Sequence, residues 1–183
     1  MRWNFFPAAV LGNYLDADTI RSYCRDGCIF FGNNWSCPPH SPDFAQLDLN
    51  YPWYLVIIFS YDLNPETSMS EAFDKLKNLG DKVLSSLEID FNRNFSIRGH
   101  KCEHCGSCPE DTCNDPDMRR YDFPSLGIDI TTFMQEKMDY QVDWAKKDQS
   151  KSTLTSVGAF PLEMNEQMQV DKCLTTALNA SVS

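Results

Sequence analysis

The run Trp53-Tyr-Leu-Val-Ile-Ile-Phe59 decides the fold class. It is continuously apolar, rich in β-branched and aromatic side chains, and lacks both helical periodicity and strict alternation. That pattern predicts a strand over residues 51–61 that is covered on both faces. Downstream of it, Pro65 and Ser68 mark a helix start, and Ser68 with Glu71 has capping-box spacing. Phe73, Leu76, Leu79, Val83, Leu84 and Leu87 then recur at three- and four-residue steps. They predict an amphipathic helix to about residue 89, with its apolar face in the core.

Further along, Ile130, Phe133, Met134 and Met138 outline a second amphipathic helix continuing loosely toward Trp144. Residues 154–162 read as a last strand. Upstream, residues 1–22 carry little signal beyond a short helix around residues 16–23. The tail after Glu163 reads as polar, with residues 179–183 frayed. No internal repeat or dividing linker interrupts the chain. The expectation is α/β: a single domain over residues 1–165 with a small sheet, two amphipathic helices and two long cysteine-rich loops, then a polar C-terminal tail over 166–183. Loops of that length are normally functional.

The 183 residues correspond to one domain at roughly 150 per domain. A chain of this size buries enough surface to fold without metals or disulfides. With 16 Lys+Arg against 26 Asp+Glu, the net charge is -10. Nucleic-acid binding, which needs a basic footprint, is therefore excluded as an expectation. The 13% aromatic and 42% hydrophobic content separates the chain from disordered acidic tails. The stretch Met1-Arg-Trp-Asn-Phe-Phe-Pro7 does not read as a secretion leader, because Asn4, Pro7 and Asn13 break its apolar run and no small-residue cleavage site follows. Nor is there a stretch of ~20 apolar residues to span a membrane. The expectation is a cytoplasmic protein, in which eight cysteines point to metal or redox chemistry rather than disulfides.

The second loop, residues 98–124, carries Cys102-x2-Cys105-x2-Cys108-x4-Cys113. Three thiolates at three-residue steps let a curled loop present sulfur to three corners of a [4Fe–4S] cube, and a fourth cysteine closes it. The run differs from the bacterial ferredoxin pattern in having four residues before its last cysteine and Asn114 after it. A four-cysteine zinc site is the alternative, although zinc usually takes two separated pairs. The first loop carries Cys24-x3-Cys28-x8-Cys37-Pro38-Pro39. Its spacing is not that of radical enzymes that use S-adenosylmethionine. Three cysteines can hold three irons of a cube, with Gly27 and Gly32 permitting turns and Phe30, Phe31 and Trp35 shielding it from water.

The two cysteine blocks, followed by Pro116, Arg119, Arg120 and Leu126-Gly-Ile-Asp129, resemble a family of unknown function described as predicted metal-binding proteins, found largely in anaerobic bacteria and archaea. The resemblance covers about residues 20–162. It implies an iron–sulfur protein and supplies no settled reaction. It does not reach Cys173, which inherits no ligand role.

Two cluster assignments stay open. In one, Cys102, Cys105, Cys108 and Cys113 complete one cluster, while Cys24, Cys28 and Cys37 hold a second by three corners. In the other, the last cysteine of one loop serves the cluster of the other, as Cys37 before Pro38 would suit. Of the histidines, His104 reads as solvent-exposed, and His40 is a candidate fourth ligand for the first cube. Arg25, Arg98, Lys101, Arg119 and Arg120 put positive charge near the loops, to offset anionic clusters, to bind an acidic substrate, or as ordinary ion pairs. Asp115, Asp117 and Asp129 read as turn and cap residues. No Ser-His-Asp set, phosphate loop or HExxH motif is present.

The expected function is electron transfer by one or two [4Fe–4S] clusters in an anaerobic redox or cofactor-activation system. The partner is a redox protein or a small-molecule substrate, and the oligomeric state is left open. One alternative is an enzyme using the open iron of a three-cysteine cluster as Lewis acid or sulfur carrier. The other is a zinc-stabilised interaction module.

Overall fold

The structure is a computed structural model that describes residues 1–47, 51–63, 66–142 and 153–181. In chain order its elements are β1 (Arg2–Pro7), α1 (Ala8–Gly12), α2 (Ala17–Gly27), β2 (Trp53–Asp62), α3 (Met69–Asp90), α4 (Ile130–Met138), β3 (Thr153–Leu162) and α5 (Gln167–Ser181), with four short 3-10 turns. The expected strand is the centre of a three-stranded antiparallel sheet ordered β1-β2-β3. Leu55 faces Phe5 on one side and Phe160 on the other.

Burial on both faces follows from β2's composition. Tyr54, Val56 and Ile58 pack on one face with Phe133 of α4 and with Leu126 and Ile128 of the preceding turn. Leu55, Ile57 and Phe59 pack on the other with Leu76, Leu84 and Leu87 of α3 and Val170 and Leu174 of α5. Alternation of side chains across the strand sorts one apolar run into two cores. Gly158 on β3 has no room for a side chain: a Cβ there would meet the Leu84 Cδ1 at 2.7 Å. Its bare backbone lets α3 lie close against the sheet.

Helix α3 starts where expected, with the Ser68 hydroxyl accepting the Glu71 N–H at 3.2 Å; Pro65 lies outside the described residues. The helix buries Ala72, Leu76, Gly80, Leu84 and Leu87. The expected stripe was too wide, because Phe73 and Leu79 remain 46% and 43% exposed. The sheet covers a row of four-residue steps, and Phe73 turns instead toward a cysteine-lined cavity. Two further expectations are corrected. Helix α4 stops at Met138, where Asp139 takes a left-handed φ of 47°, rather than running toward Trp144, which lies outside the described residues. The supposed polar tail forms α5 to Ser181, and Val170 and Leu174, one turn apart, place it in the core.

The cysteine loops are tied to this frame through Ile97. Its N–H donates to the Ala159 carbonyl on β3 at 2.8 Å, and its carbonyl accepts the Ala159 N–H at 2.9 Å. The next residue, Arg98, donates its N–H to the Tyr121 carbonyl at 2.7 Å. One sheet edge thus brings residues 99–102 alongside Asp122.

Candidate metal centre

Helix α2 delivers the first two thiols. Asp16 caps its N-terminus by accepting the Thr19 N–H at 3.3 Å, and Cys28 closes the other end by donating its N–H to the Cys24 carbonyl at 3.0 Å. That four-residue step puts both sulfurs on one side of the helix. Helix α2 has no fully buried residue, so it is anchored by polar contacts instead. The Arg21 guanidinium donates to the carbonyls of Ser41, Pro42 and Ser125 at 2.7–3.1 Å and pairs with Asp43 at 2.8 Å. Nothing in the spacing of Arg21 marks this role; only the fold reveals it.

After α2 the chain turns at Gly32, whose φ is +72°, and Gly32 donates its N–H to the Pro38 carbonyl at 2.9 Å. Gly27, expected to permit a turn, instead ends the helix. The return brings Cys37 back beside Cys24 and Cys28, and the three thiols line a cavity of about 260 Å³ with Phe30, Phe31 and Asp122. Burial pushes the Cys37 thiol up to about 12, the charge of Asp122 adding to it. Cys24 is raised in the same way, by burial and then by Asp122.

The second loop gathers Cys102, Cys105, Cys108 and Cys113 around a separate void of about 20 Å³, bordered also by Trp35, His104 and Arg119. Desolvation and then the neighbouring Cys113 and Cys102 raise the Cys105 thiol, with Asp115 and Cys108 contributing after them. The two loops are stitched together at the backbone. Asn34 Nδ2 donates to the Cys102 carbonyl at 3.0 Å, and the Cys102 N–H donates to the Ser36 hydroxyl at 2.9 Å.

Cys37 thus shares a lining with Cys24 and Cys28, and Cys102, Cys105, Cys108 and Cys113 share the other. All eight cysteines are free thiols, and Cys173, on α5, lines neither void. His104 is exposed, with its ring nitrogen 2.9 Å from Asp115. His40 stacks on Trp35 at 4.3 Å between ring centres and lies outside the three-thiol lining.

The basic residues separate into distinct roles. Arg98 and Arg120 form a buried cluster with Glu88, at 3.1 Å each, which also accepts the Ser96 hydroxyl at 2.6 Å. Lys101 pairs with Glu103 at 3.1 Å, and Arg25 faces Asp26 at 3.7 Å. Arg119 alone of this set borders the four-thiol void. Asp129 caps α4, accepting the Thr132 N–H at 3.0 Å.

Whether an inorganic cluster fits can be judged from donors and volume. A water occupies about 30 Å³ of liquid, so the first cavity has space for roughly eight water-sized groups. A cube comprises four irons and four sulfides, and three thiols of one block stand around that space. The second loop has the right donors, but its void admits about one water as it stands. Among the described residues, no group of three or more His, Cys, Asp or Glu side chains is placed to hold a single metal ion. No helix among them is long and apolar enough to cross a membrane.

A helix-covered antiparallel sheet bearing two thiol-lined sites defines a small cysteine-rich α/β protein suited to binding metal. Residues 13–159 match the model of the family described as predicted metal-binding protein (DUF2284), and the chain belongs to that family. No curated protein and no solved structure matches it.

Proposed function

We propose that this chain is an iron–sulfur protein that holds a [4Fe–4S] cluster at Cys24, Cys28 and Cys37 and serves electron transfer in an anaerobic redox or cofactor-activation system. The observation that carries the reading is the three-thiol cavity, whose sulfurs, volume and aromatic wall suit a cube. Bound there, a cluster would supply one-electron chemistry at a potential tuned by burial and nearby charge. The four-thiol loop supplies a second metal centre. Its hydrogen bonds to Asn34 and Ser36 keep the two centres adjacent, as electron exchange between them requires. EPR of the anaerobically reduced protein tests this. Magnetic interaction between two centres, lost in Cys105→Ala, is expected; one isolated signal unaffected by that change would remove the two-centre arrangement.

At the second loop the small void favours zinc over a cube: about 20 Å³ has no room for four irons and four sulfides, and the four thiols would have to close in to grip a single ion. Zinc without labile sulfide at that loop would make it a structural support for the first site. An enzymatic reading has its own support. Cys24 and Cys28 also border a second, mainly apolar cavity of about 580 Å³, lined further by Ile20, Tyr23 and Pro124. A substrate held there would lie beside an open iron. Apolar thiols that perturb one EPR signal at low concentration would favour catalysis over electron carriage.

The proposed partner is a basic redox protein, recognised by the net charge of -10. Its association rate should fall steeply with added salt; a rate indifferent to ionic strength would remove electrostatic docking.

A further inference from the structure

A cube held by three cysteines needs a fourth ligand, and four ionisable side chains line the same cavity as Cys24, Cys28 and Cys37: His100, Lys101, Glu103 and Asp122. Three of them are committed elsewhere. One ring nitrogen of His100 lies 2.7 Å from the Lys101 carbonyl and the other 2.9 Å from Asp81. Glu103 is held by Lys77 at 2.8 Å and by Lys101 at 3.1 Å, and the Lys101 ammonium also sits over the Phe30 ring.

Asp122 differs from these. Its Oδ1 accepts the Ser125 N–H at 2.7 Å, and its carbonyl accepts the Ser125 hydroxyl at 2.8 Å, which fixes the orientation of the carboxylate. Among the described residues, no salt bridge holds its carboxyl, although the charge of His100 reaches it. Both Cys24 and Cys37 feel its charge more than that of any other side chain. Burial pushes the Asp122 carboxyl up, toward its neutral form, as long as no cation stands beside it.

Resting on the cluster reading above, we propose that Asp122 closes the fourth corner of the cluster held by Cys24, Cys28 and Cys37, through its carboxylate. The position is set by the fold. Ile97 ties the sheet edge to Tyr121, and Arg21 and Ser41 tie α2 and the first loop to the Ser125 carbonyl, so Asp122 and the three thiols are braced by the same contacts. A hard oxygen holds iron of a soft cluster less firmly than thiolate does. This corner is therefore the one a small thiol or a substrate in the neighbouring cavity would take, which joins a complete resting cluster to an iron that can open.

The test is Mössbauer spectroscopy of protein loaded anaerobically with ⁵⁷Fe, comparing wild type with Asp122→Cys and Asp122→Asn. In wild type one iron should be distinct from its sulfur-ligated neighbours. Asp122→Cys should convert it to a sulfur-ligated iron with total iron unchanged, and signals from the second loop should cancel in the difference spectrum. Asp122→Asn keeps an oxygen for the Ser125 N–H but loses the anionic ligand. Its EPR signal should respond to 2-mercaptoethanol at about tenfold lower concentration than wild type, a shift of about 1.4 kcal/mol in affinity. This arm decides the matter if the cysteine variant does not fold. Iron-loaded proteins with superposable spectra and equal thiol titrations would overturn the assignment of Asp122 alone. Wild-type protein that takes up no iron would overturn the cluster reading beneath it.

Discussion

The indole Nε1 of Trp35 donates to the carbonyl of Pro109 at 2.8 Å, joining the middle of the first cysteine loop to the middle of the second. With the contacts of Asn34 and Ser36 to Cys102, three successive residues of one loop grip the backbone of the other. Between Cys28 and Asp43 and between Arg98 and Asp115 the chain has no helix or strand to hold its own shape, so each loop is the scaffold of its neighbour.

Ser36→Ala tests that dependence. Ser36 is 1% exposed, and its hydroxyl both accepts the Cys102 N–H and donates to Asn34 Oδ1 at 2.8 Å. Its loss strands partly buried polar groups and should cost about 1–3 kcal/mol. Chemical denaturation should show a lower midpoint at unchanged slope. An unchanged midpoint would mean that the loops hold their shapes independently.

The buried carboxylate of Glu88 should matter more. It is 8% exposed and is shared by Arg98 and Arg120 on the side of α3 that faces the second loop. Glu88→Gln leaves Arg120 without its countercharge and Arg98 with Asp81 alone, and should cost about 3–5 kcal/mol. A thermal melt shifted by less than about 1 kcal/mol would contradict this, because a buried pair broken on one side cannot be that inexpensive.

Acid sensitivity should centre on Asp81. Burial pushes its carboxyl up, but the hydrogen bond and charge of His100, with Arg98 and Lys77, outweigh it and hold the group below the ordinary carboxylate range. A folded value below the unfolded one gives stability that is present above about pH 4 and lost as pH falls through the folded value. Melting temperatures should therefore fall more steeply on the acid side in wild type than in Asp81→Asn. Parallel acid limbs in the two proteins would remove Asp81 from the account.

Helix α5 offers a plain contrast between core and surface. Leu174 is 2% exposed against Leu55, Phe160 and their neighbours, whereas Lys172 is exposed. Leu174→Ala should cost about 2–5 kcal/mol. Lys172→Ala should change stability by no more than about 0.5 kcal/mol. Equal, small effects from both would return this segment to the status of a dispensable tail.

These contrasts show which features were legible in sequence. The strand β2 was, because seven apolar residues in a row have few other fates, and α3 was, because its cap and period agree. The cysteine blocks announced themselves by residue type and spacing. Strand β1 was not legible: Arg2 and Asn4 interrupt its apolar residues, and only pairing with β2 makes a strand of it. Helix α5 hid its burial in two residues, Val170 and Leu174, within a polar stretch. Asp122 and Arg21 were invisible for a deeper reason. Their places come from the Ile97 and Ser125 contacts that bring distant segments together, and no local pattern encodes such a meeting.

Iron and acid-labile sulfide analysis of anaerobically purified protein, wild type against the Cys24→Ala/Cys28→Ala variant, tests the central claim most directly. The account predicts a brown wild-type protein with iron and sulfide in equal amounts, and a variant that loses the share of both held by the first cavity. A colourless, sulfide-free wild type carrying zinc alone would contradict it, as would a variant whose iron and sulfide match those of wild type.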